Sequence, residues 1–182
     1  MAVAVLYEHP EWFRPLFDTF DRRGIPVDRI DAASLRWDPA LRPSFSLLVN
    51  RMSPSAYLRG HARAIYAAQA FLAWVEASGV PVINGLGAYR LETSKAVQLG
   101  LFERLGVPYP RARVVNDPAQ VVAAADGLRF PIVVKPNIGG SGAGIQWFGA
   151  REALAAAAAS GALDLGIDHT ALVQEFLPAR NG

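Results

Sequence analysis

The sequence predicts an α/β fold in two domains, residues 1–88 and 89–182. Apolar segments of strand length alternate with segments of helix length, which is typical of a parallel α/β layout. Three joints share one chemistry, because a glycine and then a proline follow predicted helices at residues 24–27, 79–82 and 106–109. Glycine adopts the left-handed conformation that ends a helix, and proline prevents its continuation. The hydrophobic fraction of 52% is ample for a packed core.

The first domain carries four predicted strands and two predicted helices. Its opening strand is a continuous apolar run, as expected for a strand buried on both faces. The most apolar later stretch is interrupted by Arg63, Gln69 and Glu76, which favours a buried helix over a membrane span. The predicted elements are strand 3–7, helix 11–23, strand 25–30, strand 45–52, helix 62–78 and strand 80–84.

The second domain begins with a predicted helix over residues 92–105. A strand follows at 111–115, and Asp117 with Pro118 then provides the N-cap and first-turn proline of a short helix. Strands 130–135 and 145–148 flank a glycine cluster without a helix between them, so we expect a hairpin flap there. The domain continues with an alanine-rich helix at 151–159 and a strand at 171–176.

Lysine usage points to a phosphate site. The chain has two lysines, Lys95 and Lys135, against sixteen arginines. Lysine is a compact charge on a flexible stem that can follow a phosphate oxygen, and the N–H groups of a glycine loop can form an anion nest. Two other interpretations remain open at this point, namely chance survival of two lysines and glycines that merely permit a mobile hairpin. The loop residues after Lys135 are Gly139, Gly140, Ser141, Gly142 and Gly144.

The sequence does not match other known motifs for phosphate binding or for a catalytic nucleophile. A P-loop needs lysine and serine or threonine where Ile145 and Gln146 stand, and the dinucleotide fingerprint needs glycine at position 145. Ala143 breaks the Gly-x-Ser-x-Gly motif around Ser141. The three histidines have no partner at metal-ligand spacing, and Asp164 with Asp168 lacks a third ligand.

Composition limits the partners and the compartment. The net charge of +2 does not indicate a nucleic-acid surface. The absence of cysteine excludes disulfides and thiolate chemistry. The first ten residues lack a basic leader and their apolar run ends at Glu8, so we expect neither a signal peptide nor a membrane span there. These observations predict a cytoplasmic protein, and they do not predict its oligomeric state.

Three separated segments resemble the ATP-grasp superfamily, most closely its RimK-type (alpha-L-glutamate ligase-like) carboxylate–amine ligases. They are the helix with Lys95, the strand and glycine loop at 133–145, and the segment 173–177. The resemblance covers residues 80–182 well. It implies a Rossmann-like pre-ATP-grasp domain followed by the first α+β lobe of an ATP-grasp fold, truncated at the hinge between its lobes.

The resemblance also implies a division of roles. Lys95 and Lys135 would neutralise the phosphates of ATP, and the glycine loop would close over them. The hinge segment would hold the adenine through backbone groups. Mg²⁺ is the implied second cofactor. Its ligands are expected after Gly182, and no residue before that point is assigned to the metal. We also expect no catalytic residue within residues 1–182. The hinge residues are Gln174, Glu175, Phe176 and Leu177.

The implied reaction forms an amide or peptide bond through an acylphosphate, from a small-molecule or peptide carboxylate and an amine that the sequence does not identify. Departures from the family pattern are Ser94, where aspartate is frequent, and Arg111 with Ala112, where threonine is frequent. The alternatives are a non-catalytic nucleotide-binding or regulatory module and a Rossmann-like protein that binds NAD or a sugar nucleotide. The presence or absence of the metal-binding residues expected after Gly182 would distinguish a ligase from the non-catalytic module.

Overall fold

A computed structural model describes residues 2–178 of the chain. The chain forms two compact units that divide between Thr93 and Ser94. The boundary predicted after residue 88 lies inside the helix Leu86–Thr93. Residues 179–182, the end of the predicted second domain, lie outside the described residues. Within residues 2–178, no helix combines the length and the apolar character needed to cross a membrane.

The first unit is built on a four-stranded parallel sheet in the order β2-β1-β3-β4. This agrees with the parallel layout expected from the sequence. Short 3₁₀ turns at Ala32–Ser34 and Pro54–Arg59, and the helix Leu86–Thr93, were not predicted. The elements are β1 (Val3–Tyr7), α1 (Pro10–Arg22), β2 (Val27–Asp31), β3 (Leu47–Asn50), α2 (Ala62–Ala77), β4 (Val82–Ile83) and α3 (Leu86–Thr93).

The core of the first unit includes its central strand and one side of α2. The central strand β1 buries Ala4, Val5 and Leu6 completely or almost so. Helix α2 turns its apolar stripe inward, with buried side chains at helical spacing that include Ala68 and Leu72. Arg63 and Glu76 of α2 are both exposed.

The second unit is an antiparallel sheet in the order β5-β8-β6-β7, with helices packed against it. Strands β6 and β7 pair directly, so the glycine cluster between them is the loop of a hairpin, as predicted. The elements are α4 (Lys95–Leu105), β5 (Ala112–Val115), α5 (Val121–Ala124), preceded by a 3₁₀ turn at Pro118–Gln120, β6 (Ile132–Pro136), β7 (Gln146–Phe148), α6 (Arg151–Ala159) and β8 (Ala171–Glu175).

The glycine joints behave as the sequence predicts. Gly24, Gly79 and Gly106 have φ values of 62°, 78° and 66°, in the left-handed region that favours glycine. The single helix predicted over residues 92–105 is wrong, because the chain breaks at Ser94. That residue is extended, and its side chain accepts a hydrogen bond from Val97 N as the N-cap of α4.

Candidate functional site

Strand β6 carries Lys135 on the face of the sheet that is turned away from the core of the second unit. The neighbours Val134 and Ile132 belong to that core, and side chains alternate along a strand. The register pairs Lys135 with Leu172 and Val133 with Gln174. Lys135 and Gln174 therefore lie on the same face, about 7 Å apart along the strand direction.

The loop after β6, residues 137–145, is the glycine flap. Ser141, Gly142 and Gly144 all have left-handed φ values, of 55°, 73° and 73°. Among residues 2–178, only the Ala143 N–H of the segment 139–145 donates to a backbone carbonyl, that of Gly140 at 3.1 Å. The other N–H groups of this segment remain available to an anion, as in a backbone nest.

Lys95 opens α4 and lies across the same loop. Its ammonium donates to the carbonyl of Asn137 at 3.1 Å and to that of Gly139 at 3.4 Å. Lys95, Lys135 and the flap together line a cavity of about 150 Å³. The structure thus brings together two lysines that are forty residues apart in the sequence. The flap residues in the lining are Gly139, Gly140, Ser141, Gly142, Ala143 and Ile145.

Both ammonium groups are partly desolvated. Burial lowers the pKa of Lys135. Burial also lowers the pKa of Lys95, the charge of Lys135 lowers it further, and Asp168 opposes this effect. In residues 2–178, no carboxylate oxygen lies within 4.0 Å of either ammonium. A half-buried cation without a counter-ion is unfavourable, so two of them beside free N–H groups favour a polyanionic ligand.

Asn137 connects the elements around the cavity, and sequence reasoning missed it. This side chain is 7% exposed. Its Oδ1 accepts from Ser94 Oγ at 3.0 Å and from Ala96 N at 2.8 Å, while its Nδ2 donates to Asp168 Oδ2 at 2.7 Å. Asparagine after a strand is typical of an ordinary turn, so no local signal identifies it.

Of the predicted hinge residues, Gln174 and Glu175 end β8 and Phe176 and Leu177 follow it, and none of the four lines the cavity with the lysines. Glu175 N–H already donates to Arg111 O at 2.9 Å, and Phe176 N–H donates to Pro131 O at 2.9 Å. The Glu175 carboxylate accepts from Arg129 N at 3.0 Å, on the other side of the strand from Gln174. Leu177 is 53% exposed. The backbone N–H groups of Glu175 and Phe176 are therefore already engaged within the sheet.

The size and donors of the cavity define what it can hold. A volume of about 150 Å³ is smaller than the ~300 Å³ at the lower end of ligand pockets, so it suits phosphate groups and not a whole nucleotide. Within residues 2–178, no group of three or more histidine or acidic side chains is arranged to hold a metal ion. The ligands expected after Gly182 lie outside the described residues.

Proteins similar to this chain include D-alanine–D-alanine ligases by sequence and an ATP-grasp protein by structure. No protein-family model matches the chain. A D-alanine–D-alanine ligase of Ectopseudomonas mendocina (strain ymp) is 37% identical over 84 residues, which cover 46% of this chain and 27% of that protein. A RimK-domain ATP-grasp protein of Sphaerobacter thermophilus DSM 20745 has a TM-score of 0.71 and 25% identity, covering 99% of this chain and 65% of that one.

The resemblance to the ATP-grasp superfamily is confirmed. The D-alanyl-alanine synthetase A of Vibrio cholerae adds support for the fold alone, with a TM-score of 0.66 at 13% identity over 98% of this chain. The mixed α/β structure thus matches ATP-grasp proteins over almost its whole length. The chain spans 65% and 60% of the lengths of these two solved structures.

Proposed function

We propose that this chain is the nucleotide-binding part of an ATP-dependent carboxylate–amine ligase of the RimK type. The observation that carries the proposal is the cavity where Lys95 and Lys135 meet the glycine flap. Both lysines have a lowered pKa, and neither has an ion-pair partner within residues 2–178. A triphosphate supplies the negative charge that this arrangement lacks, and it fits the size of the cavity.

The residues of the site then take distinct roles. Lys95 and Lys135 bind phosphate oxygens, and the N–H groups of the flap donate to the same groups. Gln174 lies on the lysine face of the sheet, where it can contact the nucleoside. The backbone groups of Glu175 and Leu177, with Phe176 between them, are proposed to hold the adenine edge. The phosphate cavity is too small for a whole nucleotide, so the adenine has to bind outside it.

The proposed chemistry transfers the terminal phosphoryl group of ATP to a substrate carboxylate, and an amine then replaces phosphate to give an amide. Phosphoryl transfer depends mainly on positioning and on neutralising spread negative charge, which two fixed ammonium groups can provide. The flap would shield the acylphosphate from water. No residue of the described part is assigned to Mg²⁺. The proposed substrates are a carboxylate and an amine, each carried by a small molecule or a peptide.

The first unit is proposed to be the Rossmann-like pre-ATP-grasp domain that precedes the nucleotide lobe. Its all-parallel sheet supports this assignment. The two proteins similar in sequence are named as ligases, so neither a non-catalytic module nor a Rossmann-like protein that binds NAD or a sugar nucleotide is favoured. We propose a cytoplasmic location.

Isothermal titration of the purified chain with ATP tests the proposal. Hydrogen bonds to charged groups are worth about 1.5–3 kcal/mol, so Lys95→Ala or Lys135→Ala should weaken ATP binding by roughly 10- to 150-fold. Arg104→Ala is the matched control, because Arg104 lies exposed in the last turn of α4. Unchanged ATP affinity in both lysine variants, or tight binding of NADH by the wild type, would overturn the assignment.

A further inference from the structure

We propose that Asn137 is a positioning residue of the phosphate site: it fixes the first turn of α4, and with it Lys95, to the base of the glycine flap. This inference rests on the proposed function and goes beyond it, because it assigns a role to a residue that does not line the phosphate cavity. Asn137 lies immediately after β6, where the strand passes into the flap.

Every polar group of Asn137 is engaged. Its main-chain N–H donates to Thr170 O at 2.8 Å, which ties the flap base to the residue before β8. Its carbonyl accepts from Lys95 Nζ at 3.1 Å and lies 3.4 Å from Lys95 N. The side-chain amide bonds Ser94 and Ala96 on one side and Asp168 on the other. Two segments of the unit therefore meet on one side chain and hold the loop between them.

Only an amide satisfies these partners. Ser94 and Ala96 both donate to the oxygen of residue 137, and the Asp168 carboxylate accepts from its nitrogen. An aspartate here would place two carboxylates side by side, whereas an alanine would leave the N–H of Ala96 and Oδ2 of Asp168 without their partner. Asp168 Oδ1 is already buried without a hydrogen-bond partner in the described residues, so its second oxygen depends on Asn137.

The way Asn137 holds Lys95 leaves the lysine charge available. The ammonium rests on the neutral carbonyls of Asn137 and Gly139, which orient it without cancelling its charge. Asp168 is hydrogen-bonded to Asn137 and is not paired with the ammonium, yet its charge opposes the lowering of the pKa of Lys95. The carbonyl contacts hold the Lys95 ammonium at the cavity that it lines, where a phosphate oxygen can reach it.

A double-mutant cycle tests whether Asn137 acts through Lys95. ATP affinity is measured for the wild type, Asn137→Ala, Lys95→Ala and the double variant, with Asn116→Ala, an exposed asparagine of the same unit, as control. We expect Asn137→Ala to weaken binding by about tenfold and to add little to the loss already caused by Lys95→Ala. Full additivity of the two losses would overturn the inference, since a general effect on folding would persist without Lys95.

A swap of the two hydrogen-bonding side chains provides the rescue. Asn137→Asp should lose ATP affinity, and Asn137→Asp combined with Asp168→Asn should recover it to within about threefold of wild type, because the pair again has one donor and one carboxylate at unchanged net charge. Thermal melts of each variant record stability separately. The swap also keeps the test decisive if Asn137→Ala does not fold, and failure of the folded swap variant to recover affinity counts against the inference.

The two proposals fail in different ways. If the wild-type chain does not bind ATP, the proposed function falls. If the wild type binds ATP and requires both lysines, but folded Asn137→Ala binds it equally well, the nucleotide site stands and the positioning role of Asn137 is wrong.

Discussion

Two glycines of the flap offer a matched comparison. Gly142 and Gly144 both have φ of +73°, so alanine at either position adopts a left-handed conformation. A Cβ added at Gly142 meets no other atom within 4 Å. A Cβ added at Gly144 would lie 2.8 Å from Pro136 Cγ and 3.3 Å from Pro136 Cδ, and Pro136 is a buried residue of β6. The first substitution is strained by its backbone alone, and the second is also crowded.

The expected magnitudes follow from these two costs. A left-handed conformation costs an L-residue about 1–2 kcal/mol. Crowding a rigid ring in a packed region adds about 1–3 kcal/mol. Gly142→Ala should therefore lower the free energy of unfolding of the second unit by about 1–2 kcal/mol, and Gly144→Ala should lower it by about 2–5 kcal/mol.

Urea denaturation of the two variants measures the difference, and amide hydrogen exchange of β6 and β7 shows where it acts. If Gly144→Ala lowers the free energy of unfolding more than Gly142→Ala does, the additional loss should appear as faster amide exchange at the Pro136 end of the hairpin. Equal destabilisation by the two substitutions, or a larger effect of Gly142→Ala, would refute the close approach of the flap to β6.

Two further predictions concern ionisable groups. Lys135→Met should weaken ATP binding by roughly 10- to 150-fold, yet raise the free energy of unfolding by up to about 1 kcal/mol near neutral pH. Burial lowers the pKa of Lys135, so its charge penalises folding at low pH, and denaturation at several pH values should show this advantage shrinking toward pH 10.5. Burial tends to raise the pKa of Glu8, but hydrogen bonds from Arg59 and His61 hold it below its usual 4.5. Glu8 should therefore stabilise the protein above pH 4.5 and lose this effect as the pH falls further, and denaturation of Glu8→Gln between pH 3 and 6 should show a flatter profile.

Much of the fold follows from local chemistry in the sequence. The run at residues 3–7 forms β1 with the predicted bounds, and the helix predicted at 151–159 forms α6. The flap could be predicted because two strand-like runs flank the glycines with no helix between them. In each case the determinant lies within a few residues of the element itself.

The remaining features depend on contacts between distant residues. The helix break at Ser94 is favoured by Asn137, which lies 43 residues later, and the loop with Asp168 is joined to Asn137 across 31 residues. No local pattern identifies either partner. The same limit explains why the two lysines could be suspected from the sequence, whereas the side chain that orients Lys95 could not.

Chemical labelling tests the central claim most directly, because the chain has only two lysines. The purified chain is treated with an amine acetylating reagent at pH 8, and mass spectrometry follows Lys95 and Lys135 separately, with a lysine peptide in the same tube as reference. ATP should slow acetylation of both lysines by about tenfold or more at saturation, whereas adenosine should protect neither, since the phosphates are the groups bound. Equal rates with and without ATP, or equal protection by adenosine, would contradict the assignment of these lysines to the phosphate site.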